Sequence, residues 1–316
     1  MSSIGKLVPK PIKNGLLWVV RTPNRIKVKV HHAASHGKIP FPDRAFQKWD
    51  YKIHSGKKLS FRNPQTFNEK LQWLKYYYHN PIMTQLVDKY EVRQFIKEKF
   101  GEENLTKCYG VYDKWGDIDF SKLPDQFVIK CTHDSGSVYV CKDKSEFDYD
   151  KCKEIILSGL SRNQFYLSRE WPYKNVKPRI MIEEYLHDDN TDDLIDYKFF
   201  CFNGKAKLLY TVSGREKDNG ACEDFFDLFW NHLPIMHFYK NSEIPPQKPQ
   251  NFDQMIKCAN NLSTGFPHVR VDFFEANGKM YFGEMTFFDS GGRKPFKPDS
   301  VDRELGELIV LPPKMR

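Results

Sequence analysis

Two carboxylates and an arginine near the C-terminus are spaced to act together. Val269-Arg270-Val271-Asp272-Phe273-Phe274-Glu275 and Met280-Tyr281-Phe282-Gly283-Glu284-Met285-Thr286 read as strands joined by Ala276-Asn277-Gly278-Lys279. Asn277 and Gly278 both tolerate positive φ, a strong hairpin signal. Pairing across that turn brings Asp272 beside Glu284. Burying two carboxylates is costly unless a cation pairs them, and a divalent ion shared with phosphate oxygens would do so. The competing reading of the hairpin alone is an ordinary strand pair with its charges on a wet face.

A second group of residues could hold those phosphates. Phe127–Cys131 and Val138–Cys141 read as strands flanking His133-Asp134-Ser135-Gly136-Ser137. Ser135, Gly136 and Ser137 offer backbone N–H groups, two hydroxyls and a glycine that lets the backbone approach closely. Lys130 sits just before this loop. Such loops are also common as plain turns, and neither GxxxxGK[ST] nor GxGxxG is present. Residues 180–186 form an apolar strand that runs into Asp188, Asp189, Asp192 and Asp193. That strand end, at Glu183 to Tyr185, could face an adenine, and the acids beyond it a ribose. Lys198 lies early on the next hairpin. His133 is a general-base candidate by location, or a loop histidine bonded locally. Residues 165–179 carry Tyr166, Trp171 and Tyr173 for stacking on a sugar, with Arg169, Lys174 and Arg179 for carboxylates, or form a structural cover.

The elements that must position these groups change along the chain. Regular helix begins near Thr66, where Thr66-Phe67-Asn68-Glu69 has capping-box form. A second helix reads over residues 84–100 and stops at Gly101. Up to Asp125 there is little strand signal. After it come the strands above, a helix over Tyr149–Leu160, a hairpin over 197–202 and 206–212 turning at Asn203-Gly204, a loop-rich stretch over 214–250, and a helix over Phe252–Leu262.

The whole chain bounds the function. At 316 residues, 40% hydrophobic and 15% aromatic, it has material for about two domains. No apolar run approaches the ~20 residues of a membrane span, and no signal peptide is legible. The seven cysteines show no CxxC and the ten histidines no HExxH, which argues against a disulfide framework or a zinc site and for a cytoplasmic protein. Residues 1–48 hold ten Lys/Arg against Asp43 alone. The net charge of +8 therefore lies in this arm, and the remaining body is near neutral. An anionic membrane or acidic polymer is one partner for such an arm; nucleic acid is less favoured. Alternatively, the alternation of Ile26, Val28 and Val30 with Lys27 and Lys29 suits a packed strand with lysines outward.

Taken in order, these elements resemble the ATP-grasp enzymes: strand lysine, small-residue loop, strand ending in Glu, second lysine, then R-x-D and E-x-(N/T). In detail the chain is similar to the TupA-like branch, found with bacterial surface-polysaccharide genes and often labelled glycosyltransferase. The segments that carry this are Asn63-Pro64-Gln65-Thr66-Phe67-Asn68-Glu69-Lys70-Leu71-Gln72-Trp73, Asp88-Lys89-Tyr90, residues 169–179 and the final hairpin. The likeness spans roughly residues 45–312. It implies an α+β ATP-grasp fold in which two α+β subdomains with antiparallel sheets clamp ATP, preceded by a short, mostly helical region. The expected division is a basic arm at 1–48, a helical region at 49–125, and subdomains at 126–187 and 188–316. Lys130 and Lys89 would contact phosphates beneath Ser135, Gly136 and Ser137. Glu183 and Tyr185 would take the adenine, and Asp188, Asp189 or Asp192 the ribose. Lys198 and Arg270 would act on the transferred phosphoryl group, and Asp272, Glu284 and Thr286 would hold Mg²⁺. Thr286 departs from the family's usual Asn, which favours one Mg²⁺ over two. The implied activity is an ATP-dependent carboxylate–amine ligase, joining an amino acid or amine to a uronic-acid carboxylate of a surface glycan. A glycan kinase, a glycosyltransferase and a non-catalytic binding module are its rivals.

Overall fold

The computed structural model describes residues 24–191, 193–215 and 220–315. Residues 1–23 of the basic arm and Asp192 lie outside the described residues. The described residues begin with helices α1 (Asn24–Ser35), α2 (Asp43–Ser55), α3 (Phe67–Tyr77), α4 (Ile82–Val87) and α5 (Val92–Phe100). Strands β1 (Cys108–Tyr112), β2 (Phe127–Cys131) and β3 (Val138–Cys141) follow, then α6 (Tyr149–Leu160), the short α7 (Phe165–Ser168) and β4 (Ile180–Glu183). The C-terminal part holds β5 (Asp196–Phe202), β6 (Lys205–Ser213), β7 (Cys222–Asp227), β8 (His232–Leu233), α8 (Phe252–Leu262), β9 (His268–Ala276), β10 (Lys279–Thr286) and α9 (Ser300–Glu307).

The strands form two sheets, ordered β1-β4-β2-β3 and β10-β9-β5-β6-β7-β8, with antiparallel pairing throughout. Strand periodicity decides which side chains reach the space between them. On β2, Phe127, Ile129 and Cys131 are buried and pack with Cys152 and Ile156 of α6, so Val128 and Lys130 face the other way. On β9, Val269, Val271 and Phe273 join a core with Phe252 and Met255 of α8, which leaves Arg270 and Asp272 on the opposite face. The register sets Lys198 of β5 directly across from Asp272. The β9–β10 turn has Asn277 at φ 51° and Gly278 at φ 72°, and a register shift between Phe282 and Met285 brings Glu284 to the same face.

Several elements depart from the expectations above. Among the described residues, two helices precede Thr66. The chain around Val28 and Val30 is helical rather than extended, with Val30, Ala33 and Ala34 buried. A five-residue alternation is too short to separate the two periods. Helix α2 runs through position 48, where the basic arm ends in sequence. Residues 84–100 form two helices, broken at Asp88, which is extended at φ −77° and ψ 120°. β1 escapes a pattern search because all five of its residues are half-buried. β7 and β8 lie inside the stretch that reads as loop.

Helix α3 is the strut of the N-terminal part. Thr66 accepts from the Glu69 N–H and the Glu69 carboxylate accepts from the Thr66 N–H, a complete capping box. Its polar residues are buried and committed. The Asn68 side-chain amide donates to the Lys294 carbonyl at 3.0 Å, that of Gln72 to the Gly292 carbonyl at 2.8 Å, and the Lys75 ammonium to the Gly291 carbonyl at 2.7 Å. Gly292 must be glycine here: its φ is +60°, and a Cβ would lie 2.9 Å from Leu71 Cβ. Among the described residues no helix is long and apolar enough to cross a membrane.

Candidate active site

A cleft of about 1260 Å³ opens between the two sheets. This exceeds the ~300–1,000 Å³ typical of a single drug-sized ligand, so it has room for two substrates. The phosphate, adenine and metal candidates, from Lys89 and Lys130 through Ser135, Gly136, Ser137, Glu183, Tyr185 and Lys198 to Arg270, Asp272, Glu284 and Thr286, all line it.

One wall is built by the smaller sheet. Lys130 points into the cleft and forms an ion pair with Glu183, whose other oxygen accepts from Thr106 Oγ1 at 2.8 Å. The Glu183 carboxylate is thus occupied by protein, and its strand end continues to Tyr185. Lys89 arrives from the α4–α5 break. Its N–H donates to the Thr132 carbonyl at 3.0 Å, and its ammonium donates to the Asp134 carbonyl. Asp88 holds the break by accepting from the N–H groups of Tyr90 and Glu91 at 2.8 and 3.1 Å and pairing with Arg179 at 3.0 Å.

In the small-residue loop, Ser135 and Gly136 are exposed, with Gly136 at φ 93°. Ser137 is buried. Its hydroxyl donates to Asp134 Oδ2 at 2.5 Å and accepts from Arg162 Nη2 at 2.7 Å, so it anchors the loop while its two neighbours stay open.

The other wall carries a dense cluster of charges. Arg270 donates through Nε and Nη2 to the two oxygens of Asp272, each at 2.7 Å. Nη2 also reaches Glu284 Oε1 at 2.8 Å and Thr286 Oγ1 at 3.0 Å. Nη1 reaches Tyr210 Oη at 3.1 Å and pairs with Asp289. Lys198 Nζ lies 2.5 Å from Asp272 and 3.4 Å from Asp196. Burial raises the Asp272 carboxyl, opposed by Arg270 and Lys198. At Glu284 burial also pushes upward, but Arg270 and Lys198 outweigh it and hold the carboxyl at about 2. Burial would lower Lys198, yet Asp196 and Asp272 raise it.

Asp272, Glu284 and Thr286 supply only oxygen donors, which suits a hard cation such as Mg²⁺. Among the described residues no three His, Cys, Asp or Glu side chains are grouped to hold a metal. An ion at the pair must therefore complete its shell with water or ligand oxygens, the usual habit of Mg²⁺. The residues present fit that ion.

Other candidates fall elsewhere. His133 is buried, with Nε2 at 3.2 Å from the Gly159 and Arg162 carbonyls, a loop-fixing role rather than a base. Of the 165–179 group, Tyr173 alone among the six named lines the cleft. Arg169 is buried, its guanidinium 3.9 Å from the Phe46 ring and 3.2 Å from Asp43. Trp171 stacks on His79 and donates to the Tyr78 carbonyl, and Arg179 pairs with Asp88 and Glu91. That segment is mainly structural cover. Of the ribose candidates, Asp188 does line the cleft, where it accepts from Asn190, whereas Asp189 pairs with His187 outside it. The site also uses Tyr210, Asp289, Asp134 and Arg162, which the sequence reading does not assign to it.

A family profile described as TupA-like ATPgrasp matches residues 69–310. The chain belongs to this ATP-grasp family. ATP-grasp ligases use ATP and Mg²⁺. Similar solved structures include a D-alanine–D-alanine ligase from Bacillus anthracis complexed with ATP, at 16% identity over 64% of this chain and 55% of that one, with a TM-score of 0.38. The ATP-grasp ligase PsnB complexed with minimal precursor is 11% identical over 69% of this chain and 58% of its own, with a TM-score of 0.39. The D-alanine–D-alanine ligase from Helicobacter pylori is 13% identical over 78% and 70%, with a TM-score of 0.40. The chain thus spans little more than half the length of the first two. No curated protein matches it.

Proposed function

We propose that this TupA-like ATP-grasp protein is an ATP-dependent carboxylate–amine ligase. The supporting observation is the convergence of Lys89, Lys130, Lys198 and Arg270 with the Asp272–Glu284 pair on one cleft. A carboxylate is anionic and resonance-stabilised, so an amine does not attack it. Transfer of the γ-phosphoryl group of ATP to the carboxylate oxygen gives an acyl phosphate and ADP. The amine then attacks the carbonyl carbon, phosphate leaves with its oxygen, and the amine proton goes to solvent or a base.

In this reading Lys130 and Lys89 neutralise the nucleotide phosphates. Backbone N–H groups at Ser135 and Gly136 cover them, and Ser137 fixes the loop. The strand end at Glu183 and Tyr185 receives the adenine. Lys198 and Arg270 offset charge on the moving phosphoryl group. Mg²⁺ at Asp272, Glu284 and Thr286 would neutralise phosphate oxygens when bound. The acid is proposed to be a uronic-acid sugar of a bacterial surface glycan and the amine an amino acid or simple amine, both resting on the family likeness.

Mass spectrometry of a reaction with ATP, Mg²⁺, uronic-acid glycans and an amino-acid mixture tests this. The expected product has gained one amine with loss of one water, and ADP and phosphate appear only when the amine is present. A stable phosphoester with ADP and no free phosphate would instead make the protein a glycan kinase.

A further inference from the structure

Two aromatic side chains stand exposed at the cleft in a backbone that is tightly fixed. Phe238 is 53% and Tyr239 37% exposed, and both line the cavity. Their exposure does not come from a loose loop. The buried Glu223 carboxylate accepts from the Phe238 N–H at 2.6 Å and from the Tyr239 N–H at 3.4 Å. Met236 and Lys297 exchange backbone hydrogen bonds at 2.9 and 2.8 Å. Between them His237 points inward and stacks on Phe296 with ring centroids 4.2 Å apart. His237 turns in, while its neighbours Phe238 and Tyr239 both stay exposed.

The bridge to Lys297 also fixes a cation. Lys294, three residues upstream, holds its ammonium 4.6 Å from the Phe238 ring centroid. The platform stands close to the charged cluster. His237 Nδ1 lies 3.8 Å from Asp289, the carboxylate that pairs with Arg270. An exposed aromatic face held rigidly inside a polar cleft marks a ligand surface, and the ammonium beside it selects an anionic ligand.

We infer that Phe238, Tyr239 and Lys294 form the acceptor subsite for an acidic sugar. Its ring lies on the Phe238 face and a carboxylate of the ligand meets Lys294. This assignment rests on the ligase reading above and specifies where its carboxylate substrate binds. A flat ring face bearing C–H groups matches the aromatic, and a carboxylate on the same sugar matches the cation. A neutral sugar would satisfy only the first. Arg169 and Trp171 lie outside this cleft, packed on Phe46 and His79.

Calorimetric titration of the full chain, loaded with Mg²⁺ and ADP, tests the subsite with an oligoglucuronate and its carboxyl-reduced counterpart. Phe238→Ala is expected to weaken oligoglucuronate binding about tenfold or more, while Phe238→Trp retains it and ADP affinity changes less than about twofold. Lys294→Ala is expected to remove the preference for the acidic over the reduced oligosaccharide. Unchanged oligoglucuronate affinity in both alanine variants overturns the inference, as does a wild-type protein that binds ADP but no oligoglucuronate. Loss of anionic-vesicle binding alone in Phe238→Ala also overturns it, in favour of a lipid contact. Phe238- and Lys294-dependent binding without any amide product supports the subsite while overturning the ligase reading.

Discussion

Arg270 is the residue through which the charged wall is organised. It holds Asp272, Glu284, Thr286 and Asp289 in one fan, so the two proposed metal carboxylates face the same space before any ion arrives. Asp272→Asn keeps the side-chain volume but removes the charge shared by Arg270 and Lys198. We predict a kcat for Mg²⁺-dependent ATP turnover lowered about 10²–10³-fold, with nucleotide binding retained. Turnover equal to wild type across a Mg²⁺ titration would remove Asp272 from the metal site. Much of this site is legible in sequence because strand periodicity puts Lys130, Lys198, Arg270 and Asp272 on known faces, and a hairpin turn fixes the register. Asp289 and Arg162 are not legible. Asp289 lies in an irregular turn beyond β10, and Arg162 reaches the loop from beyond the end of α6, so no period reports either one. His133 stays open between two readings for the same reason, since a loop position carries no inward or outward signal, and the structure favours the locally bonded one.

At the scale of elements, the break between α4 and α5 does what a continuous helix would not. It presents Lys89 to the loop after β2 and ties the helical region to that strand through the Thr132 carbonyl. Asp88, 2% exposed, sustains the break with two N–H acceptances and the Arg179 ion pair. Asp88→Ala leaves the half-buried Arg179 with Glu91 alone and two N–H groups short of a partner. Its expected cost is about 3 kcal/mol in denaturant unfolding, with a raised KM for ATP as Lys89 loses its position. Asp88→Asn, which keeps the acceptor oxygen, should cost distinctly less. An Asp88→Ala protein with unaltered stability and KM would show the break to be held by other contacts. The helix break is hidden in sequence because apolar spacing continues across it and only Asp88 marks the turn. The long alternating or wholly apolar strands β2, β5, β6, β9 and β10 are readable. Half-buried β1 and the two-residue β8 hold too little contrast to stand out from loop.

Across the whole molecule the N-terminal helices are built into the fold. Val30, Ala34, Phe46 and Trp49 share a buried cluster, and Arg169 rests on Phe46. A truncation that tests membrane contact should therefore stop at residue 23. Residues 1–23 hold Lys6, Lys10, Lys13 and Arg21 with no acid, roughly 1 kcal/mol each near an anionic leaflet. Their removal should reduce cosedimentation with anionic vesicles at low salt and leave nucleotide binding intact; equal cosedimentation would retire the membrane contact. Lys75 joins α3 to both other parts of the chain, donating to the Ser168 and Gly291 carbonyls at 2.8 and 2.7 Å. Burial lowers its ammonium from 10.5 to about 7, with Glu170 opposing the shift. Between these values the unfolded chain binds a proton that the folded chain has released, so this group makes stability rise with pH. Below about 7 both states are protonated and the folded state bears the full desolvation cost. Lys75→Met removes the titration. Measured by urea unfolding from pH 6 to 10, wild type should gain a few (~2–5) kcal/mol relative to Lys75→Met as pH rises. The comparison between the two proteins cancels the buried cysteines and tyrosines that titrate in the same range. A constant difference across that range would mean that Lys75 keeps its ordinary proton affinity, and that Glu170 and the two carbonyls compensate its burial in full.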